Sequence, residues 1–118
     1  MNVSEIAKVL ASLYTPYGVE RVGFIINTNT IAEVQNNSSD PENGFMVSPE
    51  DIERYTEEQV AAASWHTHPG GDANLSGEDF RMFKAYRTMK HFIVGKDGVR
   101  CFQYDEASRT ILEVKIDE

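Results

Sequence analysis

Between residues 64 and 79 the chain reads SWHTHPGGDANLSGED, which places His66, His68, Ser76 and Asp79 within one short run. If "SWHTH" is a strand, His66 and His68 are two residues apart and share a face, while Thr67 points away. Both imidazoles then reach one point in space. Neutral imidazole is a good zinc ligand, at about 2.0–2.1 Å. Asp79 follows His68 after a loop, in the first turn of the next helix, where it can supply a third ligand. Two nitrogens and one carboxylate leave a tetrahedral position open, the pattern of a catalytic zinc rather than a structural one. The bland alternative is a polar loop and a capped helix. Ser76 and Asp79 also spell S-x-x-D, an ordinary capping box, with Pro69, Gly70 and Gly71 as turn residues and Asp72 and Glu78 solvated. In the metal reading Asp79 does not easily cap as well, because its carboxylate must face the ion.

The elements that would position these residues follow from patterning. "SEIAKVLASLY" puts Ile6, Val9, Leu10 and Leu13 on one helical face, with Ser4 as N-cap and Pro16 and Gly18 as stops. "RVGFIIN" reads as a buried strand, joined through the polar turn "NTNT" to "TIAEVQN" as its neighbour. "NNSSDPENG" is a loop, "FMV" a brief strand, and "SPEDIERYTEEQ" a helix with Ser48 as cap and Pro49 at its first position. "VAAASWHTH" is the histidine strand, "PGGDANL" a loop, and "SGEDFRMFKAYRTM" a helix with Met82, Phe83 and Met89 as core. Three strands follow, "HFIVG", "VRCFQYD" and "TILEVKI", with Asp97-Gly98 marking a hairpin between the first two. The expectation is one α/β domain over residues 1–118, a mixed sheet flanked by helices.

The bulk properties narrow the function. The length of 118 residues suits a single domain. A net charge of −8 argues against a nonspecific grip on nucleic acid. No run of ~20 apolar residues suggests a membrane span. The start MNVSEIAKVL does not read as a secretory signal. A single cysteine, Cys101, gives neither an intrachain disulfide nor a CxxC zinc site and reads as a small buried hydrophobe, which suits a reducing cytoplasm. His91 is expected not to be a ligand, and Trp65 is expected to face opposite to His66 as core.

H-x-H, seven residues, then S-x-x-D resembles the signature of the JAMM (MPN+) zinc metalloproteases. His66, His68, Ser76 and Asp79 match it without gap or substitution, and Pro69 stands where the family usually has proline. The family also carries an upstream glutamate, followed by two residues, a glycine and an apolar run. "VERVGFII" offers Glu20 with Gly23 and Phe24 behind it, and the competing acid is Glu33. Many bacterial and phage members have cysteine where this chain has Val22. The segment at 36–55 is similar to that of compact prokaryotic and phage members, among them the N-terminal domain of lambda-like phage tail assembly proteins. The resemblance implies a deaminase-like α/β fold and a Zn2+ held by His66, His68 and Asp79. It implies Glu20 as acid and base, and Ser76 as a donor to the oxyanion. It further implies hydrolysis of an amide in a protein or peptide substrate, with deconjugation of ubiquitin-like proteins as another substrate class. A phage tail or cell-wall peptidase domain would be the partner, and the location cytoplasmic or virion-associated. The rival is an inactive MPN-type scaffold that binds partners.

Overall fold

The computed structural model describes residues 3–27, 30–58 and 61–116. In chain order these form α1 (Val3–Ala11), β1 (Val22–Ile26), β2 (Thr30–Val34), α2 (Pro49–Glu53), a π-helical turn (Arg54–Glu58), β3 (Ala63–Thr67), α3 (Gly77–Ala85), β4 (Lys90–Gly95), β5 (Gly98–Asp105) and β6 (Thr110–Val114). The six strands make one mixed sheet in the order β2-β1-β3-β4-β5-β6. All neighbours are antiparallel except β3 and β4, which run parallel and are joined across the sheet by α3. The result is a single α/β domain.

The period-2 alternation of the strands divides the core in two. Ile25, Ala63, Trp65, Phe92, Val94 and Cys101 point to one face, where Ile6 and Leu10 of α1 cover them. Phe24, Ile93 and Phe102 point to the other, under Phe83 of α3 and Met89. Trp65 and Cys101 are fully buried, as their sequence setting suggests.

Several boundaries differ from the sequence reading. Ser4 lies inside α1 rather than capping it, and Val9 is 42% exposed rather than core. The helix ends at Ala11, well before Pro16, where the Ser12 amide and hydroxyl both take the Val9 carbonyl. "FMV" forms no strand. There the Met46 amide donates to the Asn36 side chain and the Met46 carbonyl accepts from the Asn37 amide, so a side chain replaces the ladder. The "SPEDIERYTEEQ" helix does begin with Ser48 as cap and Pro49 first, but it widens into the π-helical turn after Glu53. α3 stops at Ala85 instead of reaching Met89, and the Tyr86 carbonyl bonds His91. Thr28 and Asn29 of the polar turn, Gln59 at the end of that helix reading, and Val60 at the start of the histidine strand reading lie outside the described residues.

Gly23 has a steric reason. The Trp65 indole donates to the Ala32 carbonyl at 3.2 Å across it, and a Cβ at Gly23 would collide with both groups. Gly23→Ala is therefore expected to destabilise the fold by about 1–3 kcal/mol, as overpacking does. Denaturant unfolding checks this, and an unchanged midpoint would refute it.

Candidate metal centre

The sheet register assembles the site. β1 and β3 are antiparallel with Val22 opposite His66, so extending the ladder by two residues sets Glu20 opposite His68. The Thr67 amide donating to the Arg21 carbonyl at 2.9 Å fastens that extension. Glu20, His66 and His68 thus share the face under α3, and Thr67 turns away to accept from the Arg21 amide. His68 lies one residue past β3, held in line by its amide donating to the Val94 carbonyl at 2.8 Å. The loop at 69–75 then crosses the end of the β4–β5 hairpin. It runs directly over Gly95, where a Cβ would strike Asp72 and Ala73, and the Ala73 amide donates to the Asp97 carboxylate at 2.8 Å. This path brings the start of α3 back over the strand end.

His66 Nε2 and His68 Nε2 are 3.1 Å apart. Asp79 Oδ1 stands 3.1 Å from His66 Nε2, and Asp79 Oδ2 3.4 Å from His68 Nε2. Glu20 offers a carboxylate oxygen that lies with the two histidine nitrogens inside a mutual distance of 4.8 Å. Glu20 and His66 are buried, at 8% and 1% exposure, and His68 is partly so. The buried group Glu20, His66 and His68 could hold a metal ion.

The donor chemistry fits a cation. His68 Nδ1 lies 2.9 Å from the Asp72 carbonyl, which can only accept, so Nδ1 carries the proton. In the neutral ring Nε2 is then a bare lone pair, aimed at a carboxylate and another imidazole. That lone pair can accept from a proton on His66 Nε2 or bind a metal ion. Fixing the tautomer through the far nitrogen is also how metal-binding histidines are commonly oriented. Donors around a tetrahedral zinc with bonds of about 2.0–2.1 Å stand about 3.3 Å apart, close to the 3.1 and 3.4 Å found among His66, His68 and Asp79.

Electrostatics separate the two acids. Burial is the chief cause that pushes the Glu20 carboxyl up, to about 7, against the pull of His68. Burial acts the same way on Asp79, but hydrogen bonds to His66 and His68 outweigh it and hold that carboxyl well below the usual range. Burial lowers the His66 imidazole, with the Asp79 interactions only partly opposing it. Burial would lower His68 too, yet its bonds to Asp79 and the Asp72 carbonyl, with the charges of Asp79 and Glu20, raise it overall.

Ser76 caps α3. Its hydroxyl oxygen accepts from the Asp79 amide at 3.2 Å, and Asp79 Oδ2 accepts from the Ser76 amide at 3.0 Å. The capping box is therefore formed with Asp79 also against both imidazoles. Asp79 closes the box with Oδ2, which also lies 3.4 Å from His68 Nε2, while Oδ1 faces His66. Glu33, the competing acid, is not at the site. It pairs with Arg21 at 2.6 Å on the partly exposed outer strand. His91 is outside the donor group, bonded to Ser64 and stacked 4.1 Å from Phe83. Burial pushes the Cys101 thiol up to about 12, so it stays protonated on the far face of the sheet. The sequence reading missed Phe45, whose ring lies 4.7 Å from that of His66. Nothing in local periodicity marks it, because it sits in an irregular segment.

No protein-family model matches the chain, and no curated protein sequence matches it. No helix among the described residues is long and apolar enough to cross a membrane.

Proposed function

We propose that the chain is a zinc-dependent amide hydrolase, a peptidase or isopeptidase, with His66, His68 and Asp79 holding the ion and Glu20 moving the proton. The observation that carries this reading is that Glu20, His66 and His68 bring donor atoms within 4.8 Å of one another, with the Asp79 carboxylate against both imidazoles, at the wall of a cavity of about 710 Å³. Zinc bound there would supply Lewis acidity to an amide carbonyl and acidify a water beside it, from about 15.7 toward ~7.

The protein's own groups divide the remaining work. Asp79 stays anionic and suits a ligand. Glu20, shifted to about 7, can take a water proton and return it to a leaving amine near neutral pH. Two carboxylates with pKa values driven apart by their surroundings are the usual mark of such a division. The Ser76 hydroxyl accepts from the Asp79 amide, which leaves its own proton free to donate to an oxyanion. The spacing that resembles the JAMM signature supports the same division. A protein or peptide substrate, and a setting in phage tail assembly or prokaryotic deconjugation, belong to this proposal through that resemblance.

Elemental analysis after dialysis tests it. One zinc per chain is expected, with sharp loss in His66→Ala and in Asp79→Ala. Saturating zinc should also raise unfolding stability, by about 4 kcal/mol at a thousand-fold excess over Kd. Unchanged zinc content in both variants would sink the assignment.

A further inference from the structure

The cavity extends beyond the metal centre, along β3. Ser64 precedes His66 by two residues and shares its face, so it lies about 7 Å further along the strand. Ser64 is cross-strand partner to Phe24 and lies beside His91 of β4. Beside it Phe24, opposite Ser64, packs with Met89, Val47 and Tyr86, and all four line the cavity. Its polar floor is the pair Ser64 and His91, at 6% and 1% exposure.

The hydrogen bonds of the pair fix what that floor offers. His91 Nε2 lies 3.1 Å from the Tyr86 carbonyl, which can only accept, so Nε2 carries the proton. Burial pushes the His91 imidazole down to about 4, so the ring is neutral and Nδ1 is bare. The Ser64 hydroxyl, 2.6 Å from Nδ1, must therefore donate to it. Its proton is committed, and its oxygen keeps lone pairs that no other group among the described residues engages. The floor presents an acceptor, not a donor. Five carboxylates line the cavity as a whole, Glu20, Glu42, Asp72, Glu78 and Asp79, and no Lys or Arg among the described residues does. Acidic groups are excluded by charge. An ammonium reaching the floor would lose its hydration to two neutral groups, Ser64 and His91, at high cost.

We propose that the Ser64 end of the cavity is the side-chain subsite of the substrate, built for an apolar, uncharged side chain whose tip donates a hydrogen bond, a tyrosine-like phenol. This rests on the amide-hydrolase reading, with the metal centre at the adjoining amide. The step of about 7 Å between His66 and Ser64 matches the spacing of same-face side chains in an extended peptide. The subsite thus selects the residue close to the scissile bond.

The test is binding, without turnover. N-acetyl-tyrosinamide, N-acetyl-phenylalaninamide, N-acetyl-lysinamide and N-acetyl-glutamate amide are each titrated into nitrogen-15-labelled protein, once zinc-loaded and once treated with EDTA. The tyrosine compound is expected to bind about 3- to 10-fold tighter than the phenylalanine compound, the gain of one neutral hydrogen bond. Amide shifts should move at Ser64, His91 and Phe24, and the glutamate compound should move none of them. Ser64→Ala should level tyrosine with phenylalanine, and Ser64→Thr, which keeps the hydroxyl, should retain the difference. Equal binding of the two aromatic compounds by the unaltered protein overturns the proposal, even if Ser64→Ala fails to fold. So does tightest binding of the lysine compound, or no shift at these residues up to the solubility limit. The same ordering is expected with and without zinc, so a protein that takes no zinc would refute the metal reading and leave the subsite standing.

Discussion

Glu20→Gln is expected to lower turnover by about 10²–10⁴-fold while the protein keeps its zinc, because an amide cannot accept the proton of the attacking water. The variant is nearly isosteric, so the neighbouring register of β1 and β3 is preserved. Cleavage of a quenched fluorescent peptide library reads the activity, and elemental analysis reads the metal. The two readouts separate the roles open to Glu20, whose oxygen lies within ligand range of both histidines. Zinc kept with activity lost marks the base, whereas zinc lost marks a ligand. Glu33→Gln should be near normal, since Glu33 is engaged with Arg21 away from the site. Activity lost in Glu33→Gln and kept in Glu20→Gln would make Glu33 the acid and base.

The same residue predicts a pH dependence of the metal-free fold. Its carboxyl is raised from the ordinary 4.5 to about 7, so between those values the folded state binds more protons than the unfolded state. Stability then falls as pH rises through that window, and the penalty is complete above it. Metal-free Glu20→Gln, which cannot ionise, should be more stable than the unaltered protein above pH ~7, by on the order of 3 kcal/mol, and no more stable below about 4.5. Urea unfolding at both ends of the range checks the sign. A variant that is less stable at high pH would show that Glu20 is held as a favourable anion.

The six sheet strands and the shared face of His66 and His68 were legible because they depend on short-range periodicity, whereas Glu20 was marked only by the resemblance and reaches His68 through the antiparallel register of β1 and β3. Alternation along "SWHTH" puts the two histidines on one face, and S-x-x-D starts a helix wherever it falls. That Asp79 returns to the histidines depended only on a loop of sufficient length. The pairing of Ser64 with His91 was not legible. It arises from the parallel register of β3 and β4, which sequence spacing does not specify. Phe45 over His66 was missed for a similar reason: its segment is tied by the Asn36 side chain, while "FMV" alone has the composition of a strand. The π-helical turn after α2 replaces an unbroken helix where the Tyr55 ring stacks on Phe24 of β1, at 5.0 Å, a tertiary contact that local propensity does not record. Asp79 was expected either to cap or to face the histidines, and its carboxylate does both, with Oδ1 beside His66 and Oδ2 shared between the Ser76 amide and His68.

Ser76→Ala should separate two roles that coincide in one hydroxyl. As a cap, its loss removes the bond from the Asp79 amide and costs about 0.5–2 kcal/mol of stability. The reciprocal bond, from the Ser76 amide to Asp79 Oδ2, uses backbone and survives the change. Asp79 should therefore stay near the histidines and zinc should remain bound. As a donor to the developing oxyanion, the hydroxyl's loss should cost roughly 10²–10³-fold in turnover. Ser76→Asp distinguishes the two, since aspartate caps well but donates nothing when ionised. It should recover stability relative to Ser76→Ala and remain inactive, provided elemental analysis shows that the added carboxylate has not disturbed the zinc. Ser76→Thr, which both caps and donates, should restore both properties. Near-normal turnover in Ser76→Ala, with zinc bound and only the melting temperature lowered, would make Ser76 a helix cap and nothing more.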